Sequence, residues 1–301
     1  TLKNAPHIYF CADDFGITDA SCDRITECVL DGCLNKVSVL ANTELADIGE
    51  KLRALNGAVL SVHLTLVEGR CVTDPKQLPL LADADGYFKN EFTGLLFKSL
   101  VHSRAFKLQV KSELRAQIRR AQSFFPCGAP LFLDSHQHTH MIPAVFSALC
   151  EIIREDRLQV ESLRLPNEPF IPFLQVPSLY LSYFSINLVK RWVLRFCSLF
   201  DRRKFRALHV PKTCFFGIMF SGGMTEARVK KLLPHFIRYA DKHGESLEIL
   251  FHPGYIPGSE SAAALKDIKF KKFYASSGRQ RESAAAKRIN AQNAASGELP
   301  K

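Results

Sequence analysis

Asp13 and Asp14 stand side by side, and His63, Asp134, His136, His138, His140, Arg164 and His252 follow along a chain of 301 residues. Carboxylate and neutral imidazole are the usual ligands of Zn, Mn, Co and Ni, and a carboxylate with waters can hold Mg. Three such protein ligands leave positions for water and substrate, as a hydrolytic metal centre requires. Each residue alone also has a plainer reading. Asp13-Asp14 before Phe15-Gly16 could be a helix-capping turn, His63 a hydrogen-bonded core histidine, and His252 before Pro253-Gly254 the start of a turn. In an extended DSHQHTH segment (134–140), Asp134, His136, His138 and His140 would share one face. Three imidazoles there would be poor core material, although a surface histidine cluster is the alternative.

The elements expected to position these residues alternate between strand and helix. Strands are predicted at 7–12, 36–41, 59–66, 130–135, 162–165, 214–220 and 246–251. In the third, Leu60, Val62, Leu64 and Leu66 alternate with Ser61, His63 and Thr65, the period of a half-buried strand. Helices are predicted at 19–31, with Thr18 or Asp19 as N-cap, and at 44–55, 107–125, 143–155 and 225–242. This rhythm implies a mainly parallel sheet with helices outside it, and seven or so repeats suit a barrel or an incomplete one. The candidate residues then fall at strand ends, where the reacting groups of such folds lie. A long connection at 67–106 carries an Asp-Gly turn in DADGYF.

The expected organisation is one α/β domain over 1–290 with an insertion at about 167–213 and a flexible tail at 291–301. Residues 275–301, rich in Ala, Ser, Asn and charge, are the one stretch where composition suggests disorder. The insertion is aromatic and basic. Within it, Ile186–Phe200 is compatible with an amphipathic helix carrying Lys190, Arg191 and Arg195 among Leu188, Trp192, Phe196 and Leu199. It could cover the active-site mouth or form a homodimer contact. The 186–206 segment also has the composition of an interfacial helix in peripheral contact with a membrane, and a core helix packed on the barrel is the equal alternative.

Hydrophobic residues make up 47% of the chain, enough for a sizeable core. The net charge of +10 suits an anionic partner, but no RNP-like motif, zinc finger or basic heptad run is present, and nucleic acid is not expected. Nine cysteines without a CxxC pair favour a reducing compartment, hence the cytoplasm, with membrane association on its inner face as the variant. No apolar run of about 18 residues marks a spanning helix. No signal-peptide pattern is visible, while the start at Thr1 rather than Met leaves room for a trimmed N-terminal piece.

ADDFG (12–16), HLTLVEG (63–69), DSHQHTH (134–140), RLPNE (164–168) and HPGY (252–255) occur in the order seen in the YdjC-like carbohydrate deacetylases, which the chain resembles over about 7–290. INLVKRW (186–192) and FFGIMFSGGMT (215–225) resemble the hopanoid-associated HpnK branch more than the chitooligosaccharide branch. The resemblance implies an irregular (β/α) barrel related to the polysaccharide deacetylases and removal of acetate from an N-acetylated carbohydrate. It implies one divalent cation, Mg or Zn first and Mn, Co or Ni next, held by Asp14, His63 and His136. Asp13 would be the general base, His252 the general acid, and Arg164 the residue that orients or tunes Asp13. Asp134 and His138 would stand behind the ligands or touch substrate. Two rival classes are a metal phosphoesterase and a sugar- or lipid-binding protein without turnover. The presence of both Asp13 and His252 speaks against the latter, since binding alone needs neither.

Overall fold

The computed structural model describes residues 7–55, 57–256 and 268–289, so the expected tail at 291–301 lies outside the described residues. Seven strands make one sheet: β1 (Ile8–Phe15), β2 (Lys36–Leu40), β3 (Val59–Leu64), β4 (Leu131–Ser135), β5 (Val160–Leu163), β6 (Thr213–Phe216) and β7 (Ser246–Phe251). Every pairing is parallel, in the order β5-β4-β3-β2-β1-β7-β6. Among the described residues the helices are α1 (Asp19–Leu30), α2 (Ile48–Arg53), α3 (Phe92–Val101), α4 (Ser103–Phe124), α5 (Pro143–Glu155), α6 (Ile171–Leu174), α7 (Ile186–Arg206), α8 (Glu226–His243), α9 (Ile268–Tyr274) and α10 (Ser277–Arg288).

Side chains alternate across this sheet, and the alternation separates apolar from polar. Phe10, Val37, Val39, Val62, Leu64, Leu133 and Ile249 join the main apolar cluster with Ile25 of α1, Ile118 of α4 and Phe146 of α5. The residues between them, Lys36, Ser38, Ser61, His63, Asp134 and Glu248, are also buried but meet one another instead. Arg164, one residue past β5, places Nε 2.6 Å from Glu248 Oε1 of β7. β5 is one end of the order and β7 is next to the other end, so the sheet is rolled into a partial barrel with an open seam between β5 and β6. The expected α/β barrel is therefore present, with a charged interior in place of an apolar one. Lys36, bonded to Glu248 at 2.9 Å, and Arg164 balance the buried acids there, because unpaired charges at this depth would cost several kcal/mol each.

The seam is closed by side chains. Glu168, buried, accepts hydrogen bonds from the backbone N–H groups of Gly217, Ile218 and Met219 (2.7, 3.1 and 3.0 Å), just past β6. Burial pushes its carboxyl up to about 7, against the pull of those donors. These bonds also end β6 at Phe216, short of the predicted 220. α7 lies over the seam, with Arg191 donating to the Glu168 carbonyl (2.8 Å), Arg195 to Asn167 (3.1 Å) and Asn187 to the carbonyl of Ser221 (3.1 Å).

α7 buries Arg191, Leu194, Ser198, Asp201 and Phe205 and exposes Ile186, Val189, Trp192, Phe196 and Phe200. Leu194, Cys197 and Phe205 pack into the apolar clusters of the barrel while Arg191 and Arg195 close the seam, so the helix is packed on the barrel as in the core-helix alternative, and a second, apolar stripe faces outward. The disorder expected over 275–301 is corrected for its described part, 275–289. Ser277–Arg288 is a helix, built of good helix formers and anchored by the buried Arg279 and Glu282. The 67–106 connection also has structure, with antiparallel bridges Arg70–Tyr87 and Ala82–Phe88 around the Asp85-Gly86 turn, and then α3.

Candidate active site

The first strand delivers two carboxylates to one place by breaking its own register. Between Ala12 and Phe15 the β1–β2 pairing shifts, and Asp14 takes a left-handed backbone (φ 73°). Such a bulge re-aims side chains at a strand end, and Asp tolerates the left-handed region better than most residues. Gly16 follows at φ 102°, where an added Cβ would lie 3.0 Å from Thr43. Thr18 then caps α1, accepting from Ser21 N–H at 3.2 Å.

Asp13 is gripped by the fork of Arg164, Nη1 to Oδ2 at 2.7 Å and Nη2 to Oδ1 at 2.9 Å. Burial pushes its carboxyl up, but Arg164 and His63 outweigh that and hold it below the usual carboxylate range. Asp14 is also buried, and there His136 and Arg279 outweigh burial and hold it well below that range. Its Oδ1 lies 2.8 Å from His136 Nδ1 and 3.4 Å from His63 Nε2, while Oδ2 takes a hydrogen bond from Arg279.

Behind each histidine stands a carboxylate. His63 Nδ1 donates to Asp134 Oδ1 at 2.6 Å, and Asp134 Oδ2 accepts from Ser38 (2.7 Å) and Ser61 (2.6 Å). His136 Nε2 lies 2.6 Å from Glu68 Oε2, which accepts from the Tyr274 hydroxyl at 2.8 Å. A carboxylate on the far nitrogen is the usual device for fixing the tautomer and ring direction of a ligating histidine. Asp134 is fully buried, with both oxygens engaged, directly behind His63.

Ligand atoms of Asp14, His63 and His136 lie within 4.8 Å of one another, and so do those of Asp13, His63 and Asp134. The first set fits a cation better. Asp13 is clasped by Arg164 and Asp134 by two hydroxyls and His63, whereas His63 Nε2 is buried without a hydrogen-bond partner and faces Asp14. An orphaned ring nitrogen beside a carboxylate is what a missing ligand would leave.

The surrounding acids favour the protonated form of both imidazoles when no cation is bound. Burial works against it, but Asp13 and Asp134 raise His63 to about 10, and Glu68 and Asp14 raise His136 to about 9. A cation needs neutral imidazole, so binding at pH 7 is expected to release protons, and apparent affinity to rise with pH toward 9–10. Metal titrations by calorimetry in two buffers of different ionisation heat count those protons; a heat independent of buffer would contradict the assignment. The sign for stability is the reverse. Folded values above the ordinary 6.5 stabilise the metal-free chain fully below pH 6.5, and that stability is lost as pH climbs through 9–10.

Above the pair lies a cavity of about 300 Å³ lined by Asp13, Asp14, His136, His138, Lys190 and His252, with Asn187, Ser221 and Phe273 on its walls. His252, just past β7, has its N–H bonded to Glu282 at 2.6 Å and its Nδ1 3.4 Å from the same carboxylate, with the ring edge-on to Phe273. His138 is buried against Phe215, and burial with the nearby Lys190 and Arg164 holds it well below the usual histidine value. Asp13, Asp14, His136, His138 and His252 therefore share one wall, and His63, Asp134 and Arg164 lie beneath it. His140 does not join them. The segment after Ser135 is a 3-10 turn with Gln137 and His138 at φ 51° and 56°, which ends the extended geometry that would have kept four side chains on one face. His140 instead bonds the Arg164 carbonyl (2.8 Å) and Ser135 (2.5 Å).

Residues 7–293 match the family described as YdjC-like protein. The chain belongs to that family. Among its relatives, a carbohydrate deacetylase of Danio rerio is 28% identical over 181 residues, covering 59% of this chain and 55% of that one. A carbohydrate deacetylase of Thermoanaerobacter pseudethanolicus is 30% identical over 162 residues (53% and 61%). A chitooligosaccharide deacetylase of Proteus mirabilis is 27% identical over 156 residues (51% and 58%). This YdjC-like chain thus aligns with between 55% and 61% of the length of these curated relatives. In fold it is similar to the crystal structure of a candidate cellobiose-phosphate cleavage protein from Enterococcus faecalis, with a TM-score of 0.66 at 19% identity over 98% of this chain and 95% of the other.

Sequence reasoning missed Glu68, Tyr274, Arg279 and Glu282. Glu68 lay inside HLTLVEG with no partner spacing to mark it. The other three come from α9 and α10, more than 200 residues from Asp14, and no local pattern announces such contacts.

Proposed function

We propose that this chain is a metal-dependent hydrolase that removes the N-acetyl group of an acetylated carbohydrate, releasing acetate. The observation that carries the reading is the Arg164-clasped Asp13 beside the Asp14/His63/His136 cluster, with His252 lining the same cavity. Asp14, His63 and His136 would hold the cation, which supplies Lewis acidity toward the amide carbonyl and acidifies water when bound; Mg and Zn are the first candidates.

Asp13, kept ionised by Arg164, takes the proton of the attacking water. His252, held by Glu282 on one side, gives a proton to the departing amine, without which the C–N bond breaks poorly. Asp134 and Glu68 keep the two imidazoles in the required direction. His138, held neutral by burial, and Lys190 are placed to hydrogen-bond the sugar. The likeness to the hopanoid-associated branch has a local counterpart, because INLVKRW and FFGIMFSGGMT supply Asn187, Lys190 and Ser221 to the cavity wall. Nine unpaired cysteines support a reducing compartment, the cytoplasm.

The test is a release assay over N-acetylated sugars, oligosaccharides and phosphorylated sugars with Mg, Zn, Mn, Co or Ni added to stripped protein. Acetate from at least one N-acetylated substrate, dependent on metal, is expected. Phosphate release without acetate would replace the reading with a phosphoesterase, and neither product from any substrate would leave a binding protein.

A further inference from the structure

We infer that the outward face of α7 is a docking surface for an anionic lipid bilayer. The inference is independent of the reaction run in the cavity. Trp192 (55% exposed), Phe196 (61%), Phe200 (57%), Val189 (56%) and Ile186 (79%) line that face in helical register, and Phe184 (79%) precedes it. Arg191 binds them to the neighbouring turn, its guanidinium lying 5.0 Å from the ring of Phe170 and 5.3 Å from that of Trp192. A contiguous apolar face of this kind on a soluble fold marks a surface that something covers. No helix among the described residues is long and apolar enough to cross a membrane, so the geometry is that of a helix lying in the interface.

Charge selects the occupant. Of the eight Lys and Arg in residues 169–213, Lys190 lines the cavity and Arg191 is buried, and the one acid of the stretch, Asp201, is buried as well. Arg202, Arg203 and Arg206 extend the helix past the apolar stretch and are exposed. A second copy docked on this face about a twofold axis would bring two such basic sets together, whereas an anionic leaflet attracts each basic residue by about 1 kcal/mol. The first turns of the same helix carry Asn187 and Lys190 into the cavity wall, so a docked α7 sets the mouth of the site at headgroup level.

The chain has a single tryptophan, Trp192, and it sits on this face. Fluorescence of the full chain therefore reports on the surface directly. With vesicles of phosphatidylcholine and phosphatidylglycerol, emission is expected to shift to the blue, to be quenched by brominated lipid, and to revert in high salt. Vesicles of phosphatidylcholine alone should give much less. The double variant Phe196→Asp/Phe200→Asp should no longer float with the anionic vesicles, while its far-UV circular dichroism and melting stay those of the parent. Equal binding to both vesicle types would overturn the anionic-lipid assignment. So would absence of any shift or flotation, or a concentration-dependent dimer of the parent that the double variant abolishes without vesicle binding.

Discussion

Asp13→Asn is expected to lower turnover by about 10²–10⁴-fold, the usual contribution of a positioned general base, while the chain still binds one cation. The carboxylate takes both arms of the Arg164 fork and keeps further lone pairs for a water in the cavity. An amide of the same size can accept only at its oxygen, and its NH₂ would face a guanidinium N–H. Proton acceptance is lost, and Asp14, His63 and His136 are untouched. The measurements are steady-state acetate release against pH and metal stoichiometry of the variant. Near-parental turnover, or loss of metal along with activity, would remove Asp13 as the base.

Arg164→Leu should damage fold and reaction together. The guanidinium is fully buried and touches Asp13, Glu248 and Asp134, the last at 3.2 Å. Its removal leaves three buried acids to Lys36 and His63, and breaking such a network by deleting one partner costs about 3–5 kcal/mol. The loss should be largest near neutral pH. Asp13 and Asp134 have folded values held below the ordinary 3.8, so their stabilisation is present above that value and fades as pH falls through the folded values. Urea denaturation of parent and variant at neutral and acid pH tests this. Arg164→Lys keeps the charge without the fork, and should recover part of the stability with little of the turnover, since Asp13 would no longer be oriented. Equal stability of parent and Leu variant at neutral pH would show that the network is not held by this residue.

Much of the fold was legible because the strands carry their own signal. In β3 the apolar residues of the alternation do face the helices, and the Ser61 and His63 face does line the interior. The helix at 143–155 runs over the predicted residues, with Pro143 at its first position. The predicted helix at 44–55 shrinks to Ile48–Arg53, because the Thr43 hydroxyl accepts from Leu45 N–H and donates to the Gly16 carbonyl, holding that approach as a turn. The site was legible where its residues sit at strand ends, as with Asp13, Asp14 and His136. It was not legible where backbone turned without Gly or Pro to mark it, as at Gln137-His138, or where a distant helix reached in, as with Arg279. The sense of α7 could not be read from amphipathicity alone. A periodic apolar stripe reports two faces but not which of them meets the protein, and the need to pair Glu168 and Asn167 across an open seam decided it.

In the proposed reaction Asp14, His63 and His136 hold one divalent cation. Calorimetric titration of the stripped chain with Zn²⁺, beside His63→Ala, tests it most directly. One equivalent per chain in the parent and none of comparable affinity in the folded variant is the predicted result; unchanged stoichiometry and affinity in His63→Ala would contradict it.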